Sequence, residues 1–263
     1  HHIAVDGTAL FVLLEELFAL YVALSSDGPV PPSPEEATFS EFVDWQRARL
    51  AAADAALLYL REALAPLPEP RLSFSTPRGT LATTFGEDAV VFTKRQVAAV
   101  SIEDSPVVFV GHGVVAPEYG WNDYAGVDMQ GRTALILIND PGFATGDEAL
   151  FRGRALTYYG RWTYKFEEAA RKGAAAALIV HDTAGASYGW DVVKNSWSGA
   201  QYELPAKDDP GARLPAQGWI TADTARQLFA DAGLDLDQAY KDANKRGFKP
   251  VPLNAKVSFD LNS

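Results

Sequence analysis

The 263-residue sequence contains no cysteine. Disulfide frameworks and thiolate metal sites are therefore excluded, and the absence fits either side of a membrane. No apolar run reaches the ~20 residues needed to span a bilayer. The longest candidate, Leu10 to Leu24, is interrupted by Glu15 and Glu16 and reads as an amphipathic helix. Positive charge is scarce: 23 Lys and Arg stand against 34 Asp and Glu, a formal net charge of −11. With no basic stripe, nucleic acid is a poor partner, because its binding draws on clustered Lys and Arg. The four histidines form no HExxH pattern, and there is neither a Gly-X-Ser-X-Gly elbow nor a Walker-type phosphate loop. No charged leader precedes an apolar core, so no signal peptide is visible.

What is present is apolar and ordered by period. Hydrophobic residues make up 48% of the chain, enough for a sizeable core. The clearest stretch is Gly131 to Asp182. Arg132 to Asn139 is an almost unbroken apolar run, as expected of a strand buried on both faces. Tyr164 to Lys172 has helical spacing, and Gly173 follows at a natural stop. Ala174 to Asp182 is a second buried run. Strand, helix, strand predicts a βαβ unit with a right-handed crossover.

The rest is read around that unit. Helices are expected over Thr8–Leu24 and Thr38–Leu64, joined by a Ser/Gly/Pro linker. Pro66 to Gly86 is rich in Pro, Ser and Thr, lacks a clear period, and reads as a boundary. Short strands are expected at Ala89–Phe92 and Gln96–Ser101, and a stronger one at Pro106–Val115. Loops follow at Pro117–Gly131, Asp140–Gly160 and Thr183–Leu214. Gln217–Thr221 reads as a strand, with Thr221 as N-cap of a helix over Asp223–Ala232. A second helix is expected over Asp235–Lys245, and Asn254–Leu261 alternates as a half-exposed strand. The fold class is thus α+β or α/β: a β-rich domain with a βαβ unit and flanking helices, preceded by an N-terminal helical segment. The expected division is 1–78 and 79–263.

Two sets of residues point to chemistry. His1-His2-Ile-Ala-Val-Asp6-Gly7 places an imidazole near an Asp and a turn, a pattern suited to acid–base or positioning work on an acyl acceptor. The same pattern also suits a tag remnant. Tyr158, Tyr159, Arg161, Trp162, Tyr188, Trp190, Trp197 and Tyr202 crowd the loops flanking the βαβ unit. Rigid rings offer large contact area for a peptide or partner; the alternative is an aromatic cap over the sheet. His112 and His181 are the only histidines in this part, and His181-Asp182 at a strand end reads as structural. Asp123, Asp128, Asp140 and Asp147 lack EF-hand spacing for calcium.

HHIAVDG, followed by TFSEFVDWQRARL and LYLREALAPLPEP, resembles condensation domains of nonribosomal peptide synthetases over residues 1 to about 78. The resemblance implies amide formation, with His2 catalytic and Asp6 structural, and a cytoplasmic setting. From about Thr80 onward, PVVFVGHGVVAPEYGWNDYAGVDMQGRTALILINDPGFATGD, GRALTYYGRWTYKFEEAARKGAAAALIVHD and NSWSG resemble the protease-associated (PA) domain of bacterial co-catalytic zinc aminopeptidases. That resemblance implies a non-catalytic accessory module. Such a module shapes peptide access or contacts a peptidase catalytic domain that is not in this sequence. It also implies two zinc ions bound elsewhere, no cofactor in this chain, and a secreted or periplasmic setting. The two resemblances belong to unrelated systems, so a composite sequence joined across Pro66–Gly86 is expected.

Overall fold

The computed structural model describes residues 69–198 and 213–262. They lie in a compact unit that runs from Pro66 onward. The expected helices over Thr8–Leu24 and Thr38–Leu64 lie outside the described residues.

The unit is a mixed α/β fold built on one eight-stranded sheet. Its strands are β1 (Arg71–Thr76), β2 (Gly79–Ala82), β3 (Ala89–Phe92), β4 (Ala99–Phe109), β7 (Thr133–Leu137), β8 (Ala176–His181), β9 (Ala216–Thr221) and β10 (Val251–Asn262). Their order across the sheet is β2-β1-β10-β4-β7-β8-β9-β3. β4, β7, β8 and β9 are mutually parallel, and the outer pairings are antiparallel. Two short strands, β5 (Val115–Ala116) and β6 (Trp121–Asn122), form a separate ribbon.

The period-2 geometry of a strand explains the apolar runs. Along β7, Leu135 and Leu137 enter one core cluster while Ala134 and Ile136 enter the other. β8 divides in the same way, with Ala176, Leu178 and Val180 on one face and Ala177 and Ile179 on the other. Both faces are covered by helices, so both must be apolar. One face carries α1 (Trp162–Arg171) and α3 (Trp190–Trp197); the other carries α4 (Ala222–Asp231) and α5 (Leu236–Ala243). A one-turn helix, α2 (Thr183–Ala186), follows β8. Leu72 and Phe74 of β1 share a cluster with Ala89 and Val91 of β3, although the two strands lie near opposite edges; the sheet is curled.

The expected βαβ unit is β7, α1 and β8, with Gly173 just beyond the helix at φ 78°. Thr221 caps α4, accepting from the Thr224 backbone N–H at 3.1 Å, and Asp235 caps α5 in the same manner.

Other expectations are corrected. Pro66–Gly86, read as lacking strands, contains the β1–β2 hairpin, in which Ser73 pairs with Ala82 and Thr76 with Gly79. Its composition hid an alternation: Leu72 and Phe74 point inward between polar neighbours. The turn of this hairpin contains residue 78, and β1 also pairs with β10. The two strands expected over Gln96–Ser101 and Pro106–Val115 are one, β4. A bulge sits between them, where Glu103 and Asp104 oppose Ser258 and Asp104 takes φ 51°. The strand stops at Phe109 because Gly111 and Gly113 both take positive φ, 55° and 63°. A Cβ on Gly111 would lie 2.9 Å from the Phe248 ring, so only glycine fits that turn. The loop at Pro117–Gly131 includes β6, and the loop from Thr183 includes α2 and α3.

Candidate functional site

The C-terminal ends of β7 and β8 open into a cleft of about 570 Å³. In open α/β sheets, ligands commonly bind in crevices beyond the carboxyl ends of the parallel strands. Ile138 and Asn139, just past β7, form its floor. The first turn of α1, with Arg161, Trp162 and Thr163, forms one wall. Gly185 to Tyr188, at the end of α2, forms the second. Phe143, Arg154 and Leu156, from the long loop after β7, form the third. Leu156 is 61% exposed at this wall. Residues in the first turn of α1 line the cleft, and the cap residue Arg161 gives that turn no side-chain hydrogen bond.

The floor is tied down from beneath by Lys165. It is 0% exposed, and its Nζ donates to the backbone carbonyls of His112 (2.6 Å), Asn139 (2.6 Å) and Tyr159 (2.7 Å). Three acceptors use all three protons of an ammonium, so the arrangement is built for the cation. Burial pushes its pKa down to about 7, opposed by the charges of Asp123 and Asp140. One side chain thus joins the turn after β4, the end of β7 and the 3-10 turn Tyr158–Gly160 that leads into α1. Asn139 completes the floor at φ 67°: its Nδ2 donates to Gly185 O at 2.8 Å, and its Oδ1 accepts from the Asp140 N–H at 2.9 Å.

Asp123 and Asp140 are buried beside this cation. Asp123 accepts from the Val114 N–H (2.9 Å) and from Trp121 Nε1 (2.6 Å), and burial raises its pKa to about 7. Asp140 accepts from the Thr157 backbone and hydroxyl, and burial raises its pKa as well. Asp128 and Asp147 accept from the backbone N–H of Gln130 and Ala149 in their own loops. Among the described residues, no group of three or more His, Asp or Glu is placed to hold a metal ion.

The two histidines are each fixed by a carbonyl. His112 Nδ1 lies 3.2 Å from Asn139 O; a carbonyl only accepts, so Nδ1 carries the proton and Nε2 is left with a buried lone pair and no partner. Burial, aided by the Lys165 charge, pushes its pKa down to about 3. His181 Nε2 donates to Tyr188 O at 3.1 Å, helping to place the second wall.

The His112 shift has a sign. The folded pKa lies below the unfolded value of 6.5, so the unfolded chain binds more protons between the two. The stabilisation is complete above pH 6.5 and is lost as pH falls toward 3, up to ~5 kcal/mol. Asp123 acts oppositely over the same range, because its raised pKa favours the protonated folded form. His112→Gln removes only the first effect. Its stability deficit relative to wild type should therefore shrink by several kcal/mol between pH 6.5 and 4, measured by urea unfolding; a deficit independent of pH would refute a neutral buried imidazole.

The aromatic residues singled out in the sequence separate into different places. Arg161 and Trp162 line the cleft, as does Tyr188. Tyr158 is 56% exposed, with Arg161 Cζ 5.9 Å from its ring centre. Tyr159 is half-buried and donates to Glu118, packing edge-on to Phe151 and Tyr164. Trp197 stacks on Phe92 at 4.0 Å and meets Trp162 edge-on. Trp190 donates from Nε1 to Gly86 O at 2.9 Å, anchoring α3 to the turn before β3. Trp190 and Trp197 thus cover the sheet, whereas Arg161 and Trp162 face the cleft. His2, Asp6 and Tyr202 lie outside the described residues.

The residues missed from sequence are Lys165, Asn139, Arg154 and Leu156. Only Lys165 carried a signal: it falls on the buried stripe of α1, four residues before Ala169.

No family model matches the sequence. Among solved structures, the chain is similar to an aminopeptidase from Aneurinibacillus sp. strain AM-1, at 18% identity and a TM-score of 0.33, over 75% of this chain and 31% of that one. The chain therefore spans less than a third of that aminopeptidase's length.

Proposed function

We propose that the sheet unit is a PA-like accessory module that holds or guides peptides for a zinc-dependent aminopeptidase catalytic domain. The observation that carries this reading is the cleft at the ends of β7 and β8. It is large enough for one or two residues of a peptide, and its walls mix apolar and ring surfaces with two arginines. Pockets of that make-up bind by burying apolar groups and orient by a few polar ones. The PA-like motifs of the sequence supply the peptidase context. In this reading, the zinc ions and the bond-breaking step belong to the catalytic domain, and this unit contributes binding alone.

The test is a titration of the full chain with a randomised hexapeptide library, followed by tryptophan fluorescence and NMR shifts. Trp162 lies in the cleft wall, so saturable binding should change its environment and shift the amides of Asn139, Thr163 and Tyr188. A flat titration to millimolar peptide removes the reading.

A further inference from the structure

We propose that the cleft selects ligands bearing a carboxylate beside a large apolar side chain. This rests on the peptide-binding reading above and narrows it to a substrate class.

The chain carries a net charge of −11, yet the two ionised side chains lining the cleft are both arginines, Arg154 and Arg161. Arg78, Arg171 and Arg226 each lie within ion-pair distance of an Asp or Glu. Among the described residues, neither Arg154 nor Arg161 has such a partner. Arg161 instead sits near the face of the exposed Tyr158 ring, at 5.9 Å from its centre. Arg154 comes from the loop after β7 and Arg161 from the start of α1, so two separate chain segments bring cations to one opening. Other described arginines also lack an acidic partner; what distinguishes these two is that both stand at one apolar-walled opening.

Arginine also fixes the chemistry of the partner. Its planar fork matches the two oxygens of a carboxylate, and the paired charged hydrogen bonds are short and strong. The remaining lining sets what lies beside that carboxylate. Phe143, Leu156, Trp162 and Tyr188 offer aliphatic and ring surface, and none carries a negative charge. A free C-terminus following a large apolar residue, or an acidic side chain next to one, presents both groups together. The shared chemistry is the carboxylate; its source is for experiment to divide.

The experiment is isothermal titration of the full chain with three peptides of one apolar sequence. The first has a free C-terminal carboxylate and no acidic side chain. The second is C-terminally amidated and carries one internal Glu. The third is amidated and has no carboxylate. The first or the second should bind at least about ten-fold more tightly than the third, and added salt should narrow the gap. Which of the two binds better identifies the source. Arg154→Gln/Arg161→Gln should bring all three to the affinity of the third; both side chains are exposed, so the fold should persist, as a thermal melt will verify. Equal affinity of the wild type for all three peptides overturns the carboxylate inference and leaves peptide binding standing. A carboxylate preference that survives in a folded double variant overturns the assignment to these arginines. Failure of every peptide to bind removes the peptide reading itself, and this inference with it.

Discussion

Replacing Lys165 by Met is expected to cost about 3–5 kcal/mol of folding stability. Met matches the length of the aliphatic stem and keeps most of its packing, so the loss isolates the ammonium. The carbonyls of His112 and Tyr159 lose this donor together, while that of Asn139 keeps only the His112 Nδ1–H. Each unsatisfied buried carbonyl costs about 1–3 kcal/mol. Asp123 and Asp140 also lose the cation that favours their charged forms. Part of the cost is offset, because the variant no longer desolvates an ammonium. Equilibrium unfolding in urea measures the difference directly. A second readout separates this role from plain packing: the Lys165 charge lowers the His112 pKa, so that pKa should rise in the variant. A loss under 1 kcal/mol with His112 unchanged would sink the idea that one cation holds the floor of the cleft.

Gly218→Ala is expected to destabilise the unit by about 2–3 kcal/mol and to loosen β3 selectively. Gly218 lies in β9 opposite Val91 of β3. A Cβ there would stand 2.2 Å from the Val90 carbonyl oxygen and 2.8 Å from Val91 Cγ1. The oxygen is backbone, so no rotamer change relieves the contact. The strand itself must move, and an edge strand of four residues has only one neighbour to hold it. Glycine in a strand interior commonly marks such a close backbone approach. β3 matters beyond its length: Ala89 and Val91 enter one core cluster and Val90 the other, so its displacement opens both. Amide hydrogen exchange should show Ala89 to Phe92 losing protection before β7 and β8 do. Unchanged stability, with β3 protected as in wild type, would refute the steric reading.

The parts of the fold that were legible in the sequence are those in which one local rule dominates. β7 and β8 are covered on both faces, so their residues form unbroken apolar runs. Thr221 and Asp235 announce helices because an N-cap acts on groups two or three residues away. β1 and β2 were not legible, because Ser and Thr fill their outer positions and a Pro stands in their turn. α2 and α3 were obscured by Gly185, Ser187 and Gly189, which punctuate the stretch as though it were loop. The candidate site was legible only in fragments. Arg161 and Trp162 drew notice as loop residues of the right type. Arg154 and Leu156 did not, since nothing local says that the loop after β7 folds back over the strand ends. Lys165 shows the limit most plainly: its place on the α1 stripe marks it as buried, but its three acceptors come from segments 6, 26 and 53 residues away. The aromatic residues illustrate the converse, with one composition serving two tasks, the Trp190 and Trp197 cover and the Trp162 wall.

The pairing of Arg71 with Asp260 puts the start of β1 and the end of β10 side by side at one end of the sheet. Hydrogen bonds between antiparallel strands run across them. A pull applied at Pro70 and Asn262 would therefore load those bonds one at a time, from Arg71 toward Ser75, like a zip drawn from its open end. Under tension the unit should yield at low force by peeling β1, while the parallel centre of the sheet and the Lys165 tie stay intact. Whatever is attached at those two points, the cleft lies outside the line of mechanical load.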